Sequence, residues 1–359
     1  MINLNISSHQ AIALTFVLIG ATAYSTTAQT EAETTENTQP QINIQTVENA
    51  APLSLSGQPF QPEALPLEKE PDSTRGFICP PNVTRTPENC DDRVPLTSRA
   101  YPWSAIGRLS SRQDGQDLGN CTATLIEKDW ILTNAHCVIN PETSQPYPGE
   151  ELVFQPNLIN GSSGLSNDEA KVIGGAVGTD FSEQIEPPNP QDWAILQLDQ
   201  PLGDKYGALG WKAIESETLI ANAEKFTLVG YSGDFPDPKQ FLLLQAGPSL
   251  TPGIHEDCSI ISEREDQVLT HDCDMRQGAS GGPILSWIDD KPYIVAVNSA
   301  ERANQVTGIG SENYAVHVAR IEEWLSQEPE VEPEEQVPDD SADDEGEGLE
   351  RGELEQQSR

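Results

Sequence analysis

Three short stretches hold the residue types that acyl transfer needs, in the order Thr133-Asn134-Ala135-His136-Cys137, Asp192-Trp193-Ala194-Ile195-Leu196 and Gly278-Ala279-Ser280-Gly281-Gly282-Pro283. Amide hydrolysis requires a nucleophile stronger than a neutral hydroxyl. It also requires an imidazole that takes the nucleophile's proton and returns it to the leaving amine, and a carboxylate that fixes the imidazole tautomer. Ser280, His136 and Asp192 fit these three roles. Each has an ordinary explanation when taken alone: a packed histidine beside a cysteine, an aspartate in a turn after Pro190-Gln191, a serine in a Gly-rich loop. Chance is a poor account of all three together, each inside its own motif.

Chain order discriminates among the scaffolds that could carry such a set. Gly278-Ala279-Ser280-Gly281-Gly282 also satisfies the G-x-S-x-G elbow of α/β-hydrolases, whose acid and histidine follow the serine. Downstream of Ser280 the sequence offers His317 alone, within Asn313-Tyr314-Ala315-Val316-His317-Val318-Ala319-Arg320-Ile321-Glu322-Glu323-Trp324-Leu325. The helical spacing of apolar residues there makes His317 a surface or interface histidine on a terminal helix. An esterase or lipase is disfavoured on this ground.

The elements that must position these residues read as strands. Tyr101-Pro102-Trp103-Ser104-Ala105-Ile106-Gly107-Arg108-Leu109, Glu151-Leu152-Val153-Phe154, Lys225-Phe226-Thr227-Leu228-Val229-Gly230-Tyr231 and Pro292-Tyr293-Ile294-Val295-Ala296-Val297 are short apolar or alternating runs between Gly, Pro, Asn and Asp clusters. That pattern predicts an all-β barrel or sandwich rather than βαβ units, and no internal repeat is evident. The ordered domain is expected to start near Asp91-Asp92-Arg93-Val94-Pro95 and to end with the helix near Trp324, spanning 91–326.

The 359 residues carry a formal charge of −38, which argues against nucleic acid or an anionic membrane surface as partner. Much of the acidity lies beyond Glu328, so residues 327–359 are expected to be a disordered acidic tail. Near the start, Ala11-Ile12-Ala13-Leu14-Thr15-Phe16-Val17-Leu18-Ile19-Gly20 followed by small residues predicts a cleavable secretory signal over 1–28, although its first residues lack Lys and Arg. The run is shorter than the ~20 apolar residues of a membrane span, so no stable membrane insertion is expected after cleavage. Residues 29–90 are rich in Thr, Gln, Glu and Pro and predict a mostly disordered propeptide or linker.

Six cysteines fit an oxidising compartment, secreted or periplasmic. Cys79 with Cys90, Cys121 with Cys137 and Cys258 with Cys273 are sequence-local pairs, one of the roughly 15 connectivities that six cysteines allow. The middle pair is the best supported, since it would pin a strand, turn, strand pattern beside His136. Neither C-x-x-C nor H-E-x-x-H occurs, so no metal and no cofactor are called for.

Taken together, these motifs resemble the trypsin and chymotrypsin superfamily, and within it the bacterial branch that includes the glutamyl endopeptidases. The branch rests on Tyr101-Pro102-Trp103, Leu132-Thr133-Asn134-Ala135-His136-Cys137 and Leu269-Thr270-His271-Asp272-Cys273-Asp274. The resemblance implies two six-stranded antiparallel β-barrels with a C-terminal helix, the barrels meeting near 203–214. It implies an oxyanion hole made by the N–H groups of Gly278 and Ser280, and a substrate pocket containing Asp274, Met275 and Asn298. Asp274 lies six residues before Ser280, where trypsin-like enzymes carry the acid that binds Lys or Arg. Met275 and Asn298 stand where the glutamyl branch has a small hydroxyl residue and a histidine, which removes the basis for glutamate preference; His271 is a possible substitute. Trypsin-like enzymes also carry an Asp before the serine that pairs with a newly cut N-terminus. Ala279 stands there, so that switch cannot operate.

The expectation is a monomeric, exported serine endopeptidase acting on polypeptides through an acyl-enzyme. The alternative is a catalytically silent binding protein of the cell envelope on the same scaffold.

Overall fold

The computed structural model describes residues 42–71, 91–147, 151–164, 166–183, 188–264, 267–303 and 310–327. The expected signal segment and the acidic tail beyond residue 327 lie outside the described residues. So do Cys79 and Cys90, and with them the disulfide expected between Cys79 and Cys90.

Six strands build the first barrel: β1 (Ile106–Gln113), β2 (Gln116–Glu127), β3 (Trp130–Thr133), β4 (Glu151–Pro156), β5 (Ala170–Val177) and β6 (Ala194–Leu198). The hairpin joining β1 to β2 turns on Asp114-Gly115, both at positive φ, the pairing that matches the twist of antiparallel strands. In β5 the alternation is explicit, with Ala170 and Val172 buried and Lys171 and Ile173 exposed. Hydrogen bonding follows β5-β6-β3-β2-β1-β4, and β4 returns to β5 through Phe154 opposite Ala170. That last pairing closes the barrel around Leu109, Leu125, Ile131, Phe154 and Leu196, all buried.

The second sheet holds β7 (Phe226–Gly230), β8 (Gly253–Cys258), β9 (Ile260–Glu263), β10 (Val268–His271), β11 (Pro283–Ile288), β12 (Lys291–Ala303) and β13 (Gly310–His317), in the order β9-β10-β13-β12-β11-β7-β8. Val94–Pro95 extends the order past β8, while β8 and β9 are consecutive in the chain with Ser259 alone between them, so the sheet curls back on itself. The fold is chymotrypsin-like, with one closed barrel and a curled partner sheet in which a single residue links β8 to β9. The C-terminal helix Ala319–Leu325 buries Ile321 and Trp324. Trp324 stacks at 5.5 Å on Trp193, the residue that follows Asp192.

Residues 42–71, within the segment 29–90, pair with and cover the barrel. Asn43–Thr46 runs parallel to Gly174–Val177 of β5. Ile42, Ile44, Val47, Leu53, Leu55 and Leu65 pack against the core. Further along, Phe60 bridges Ala208 and Leu67 bridges Tyr101. The few apolar residues here are spread among polar ones: they cannot build a core, but they can cover one that is already formed.

Candidate active site

His136 sits in the short helical turn Ala135–Cys137 immediately after β3. The Cys121–Cys137 disulfide ties that turn to β2, and a second disulfide joins Cys258 at the end of β8 to Cys273, two residues past β10. These are two of the three expected pairs; the third would need Cys90, which precedes the first described residue of this domain, Asp91. Asp192 lies just before β6, and the Asn134 side chain donates to its backbone carbonyl at 2.6 Å. Because β3 and β6 are neighbours in the barrel, their ends bring the imidazole and the carboxylate together. The His136 backbone N–H donates to Asp192 Oδ1 at 2.9 Å, and His136 Nδ1 lies 2.7 Å from Oδ2.

A third group completes the carboxylate's shell. Ser299 on β12 donates its hydroxyl to Asp192 Oδ2 at 2.6 Å. Burial pushes the Asp192 carboxyl up, but the charge and hydrogen bonds of His136 and Ser299 outweigh it and hold the carboxyl below its ordinary value. Burial likewise opposes a charged imidazole, and Asp192 overcomes it, raising His136 above its ordinary 6.5. Ser299 carries no sequence signal, being one serine inside a long strand, and only the approach of β12 to the first barrel reveals it.

Ser280 reaches this cluster through the same residue, its hydroxyl donating to the Ser299 carbonyl at 3.2 Å. Its loop is fastened to the first barrel by Thr122, whose N–H donates to the Ser280 carbonyl at 2.7 Å and whose hydroxyl donates to the Gly278 carbonyl at 3.0 Å. Gly281 has φ +81°, and a Cβ there would press into the Thr122 carbonyl and the Thr133 hydroxyl. Only glycine fits.

Gly278 also has positive φ, +98°. Among the described residues, the N–H groups of Gly278 and Ser280 donate to no protein acceptor, whereas the carbonyls sharing their peptide planes are held. Gln277 O accepts from Gly233 N at 2.7 Å, and Ala279 O accepts from Gly282 N at 2.9 Å. Unspent backbone donors next to a hydroxyl are what a developing oxyanion requires.

The other expected site residues have these surroundings. Met275 is buried in the apolar core of the second sheet. Asn298 is fully buried. The Asp274 carboxylate accepts the Asp92 N–H at 2.7 Å and lies 3.6 Å from His255 Nδ1. Burial raises the Asp274 carboxyl above its ordinary value despite the nearby His255. Asp92, His255 and Asp274 group as metal-ligand types, but His255 Nδ1 already accepts the Asp274 N–H at 2.7 Å. His317 accepts the Ala319 N–H at the start of the C-terminal helix and contacts the Ile214 carbonyl at 2.8 Å, a structural placement. No helix among the described residues is long and apolar enough to cross a membrane.

The family model described as Trypsin matches residues 93–325. Serine protease SSP1 of Scolopendra subspinipes is 35% identical over 74 residues, which is 20% of this chain and 26% of that protein. The match therefore spans about a quarter of that curated relative's length. Among solved structures, a Glu endopeptidase is 21% identical with a TM-score of 0.48, covering 66% of this chain and 98% of its own. The protease Anisep from Arthrobacter nicotinovorans is 18% identical with a TM-score of 0.44, covering 60% and 90%.

Proposed function

Because the chain belongs to the trypsin family, we propose that it is an extracytoplasmic serine endopeptidase whose nucleophile is Ser280. The carrying observation is the shared carboxylate: Asp192 holds His136 Nδ1 through Oδ2 and receives the hydroxyl of Ser299, whose carbonyl in turn receives Ser280 Oγ. With Asp192 on Nδ1, the imidazole carries its proton there and presents a free Nε2 lone pair. Ser280 Oγ leaves the Ser299 carbonyl, gives its proton to Nε2 and bonds to the substrate carbonyl carbon. The carbonyl oxygen becomes an anion received by the N–H groups of Gly278 and Ser280. Collapse breaks the C–N bond as Nε2 returns the proton to the amine, and water repeats the sequence to free the acid. Two disulfides among the described residues support an oxidising compartment.

The resting bond from Ser280 to Ser299, rather than to His136, is the one observation that favours a silent scaffold. Catalytic hydrogen bonds often form only when substrate binds. A fluorophosphonate probe with mass mapping of the adduct separates the two readings. Label on Ser280, abolished by His136→Ala, is expected; a folded protein that takes no label overturns the enzymatic reading.

A further inference from the structure

Besides the Thr122 bonds, the loop carrying Ser280 is tied at several points to a single buried residue on β12. Asn298 is 0% exposed and touches the loop three times. Its backbone N–H donates to Gly282 O at 2.9 Å, its backbone carbonyl accepts the Gly281 N–H at 2.8 Å, and its Nδ2 donates to Ala279 O at 2.9 Å. The remaining polar atom, Oδ1, lies 3.1 Å from His271 Nε2.

The hydrogen-bond logic leaves one arrangement. A carbonyl can only accept, so the amide nitrogen of Asn298 must face Ala279 and the amide oxygen must face His271. That oxygen needs a donor, which places the His271 proton on Nε2. His271 Nδ1 is buried without a hydrogen-bond partner. Burial pulls His271 down to about 4, against smaller opposing contributions from Asn298 and the Tyr314 backbone, and leaves it neutral through the working pH range of an extracytoplasmic protein.

What this chain of bonds fixes is a peptide plane. The Ala279 carbonyl and the Ser280 N–H belong to the same trans peptide group and point in opposite directions. Asn298 Nδ2 and the Gly282 N–H both hold the carbonyl, so the Ser280 N–H faces away from them. Without the His271 donor, the Asn298 oxygen would be buried and unsatisfied, and rotating the amide to relieve it would set oxygen against the Ala279 oxygen.

We propose that His271 and Asn298 act as a buried positioning pair, holding the 279–280 peptide so that the Ser280 N–H faces the oxyanion. The inference rests on the serine endopeptidase reading for its catalytic meaning, but the ordering of the loop stands separately. With Ala279 before the nucleophile, no acid is present there to be neutralised by a new N-terminus. Neutral hydrogen bonds from β10 and β12 supply the loop's order instead.

The test compares wild type with His271→Met, His271→Gln and Asn298→Leu. It uses turnover of a peptide ester, affinity for a peptide boronic acid that mimics the tetrahedral state, and amide exchange at Gly281 and Gly282. His271→Met is expected to lower kcat about tenfold with KM within about twofold, boronate affinity falling by the same factor, and Asn298→Leu to lower kcat about 10²-fold, the loss seen when one oxyanion donor is removed. Exchange at Gly281 and Gly282 should quicken in both. His271→Gln keeps an N–H donor and should recover most of kcat.

A folded His271→Met protein with wild-type kcat and unchanged loop exchange overturns the proposal. So does a rise in KM at constant kcat, which would make the pair part of a substrate pocket. If His271→Met does not fold, Asn298→Leu carries the same comparison, and wild-type kcat in the folded variant overturns the proposal equally. A wild-type protein without turnover or label would sink the endopeptidase reading, while the exchange comparison would still decide whether the pair orders the loop.

Discussion

Asp192→Asn is the substitution whose outcome the geometry constrains most tightly. The carboxylate accepts three hydrogen bonds, from the His136 backbone N–H on Oδ1 and from His136 Nδ1 and Ser299 Oγ on Oδ2. Asparagine must put an NH₂ at one of these two places. At Oδ1 it would meet the backbone N–H, a donor that cannot turn around, so the amide nitrogen is forced to the Oδ2 place. There the Ser299 hydroxyl can rotate to accept, but His136 can only accept by moving its proton from Nδ1 to Nε2. The Nε2 lone pair that should take the Ser280 proton is then gone. Loss of the correct tautomer in a Ser-His-Asp triad costs about 10⁴ in kcat, equivalent to about 5.5 kcal/mol of barrier. The assay is ester and peptide turnover beside the rate of fluorophosphonate labelling, with thermal melting to show that the fold survives. A folded Asp192→Asn protein within tenfold of wild type would refute the tautomer argument.

Wild-type kcat/KM should fall with acid as His136 takes a proton, with a midpoint above 6.5 because the neutral imidazole is the active base and Asp192 favours the charged form. A midpoint at or below 6.5 in a pH–rate profile would contradict that sign. Replacing Cys121 and Cys137 by alanine opens a cross-link of sequence separation 16; unfolding should show a loss of about 3 kcal/mol, with a larger loss of turnover because the bridge anchors the His136 turn. Gly281→Ala, whose Cβ would collide with Thr122 and Thr133, should abolish labelling of Ser280, and normal labelling would mean that the loop has more room than its packing indicates. Arg93→Leu removes a buried guanidinium paired with Asp91 and Asp234 and stacked 4.8 Å over Phe235. Both carboxylates can regain water, so the expected loss is about 1–3 kcal/mol, read by denaturant unfolding.

The parts of the molecule legible in the sequence are those where local pattern and chemistry coincide. The short apolar runs at Glu151-Leu152-Val153-Phe154 and Lys225-Phe226-Thr227-Leu228-Val229-Gly230-Tyr231 fall on strands. The residues around His136 and Asp192 belong to motifs at the ends of neighbouring strands. What is not legible depends on contacts between segments distant in the chain. Ser299 becomes part of the cluster only because β12 reaches across to a residue 107 positions earlier. Asn298 reads equally as a pocket residue or as a buried tie until its partners are known. The 42–71 segment has composition typical of a linker, and its order comes from a surface that other residues provide.

The parallel strand Asn43–Thr46 has a practical meaning for anyone trimming the protein. It covers the flank of Gly174–Val177, whose opposite side belongs to β6. A fragment starting at Asp91 would keep every motif of the family and lose that cover, presenting four residues of unpaired backbone beside the exposed Ile173. Such a flank is adhesive toward other extended chains. The start at residue 93 given by family similarity marks shared ancestry, and the start near residue 42 given by backbone pairing marks what the folded unit needs to remain free of its neighbours.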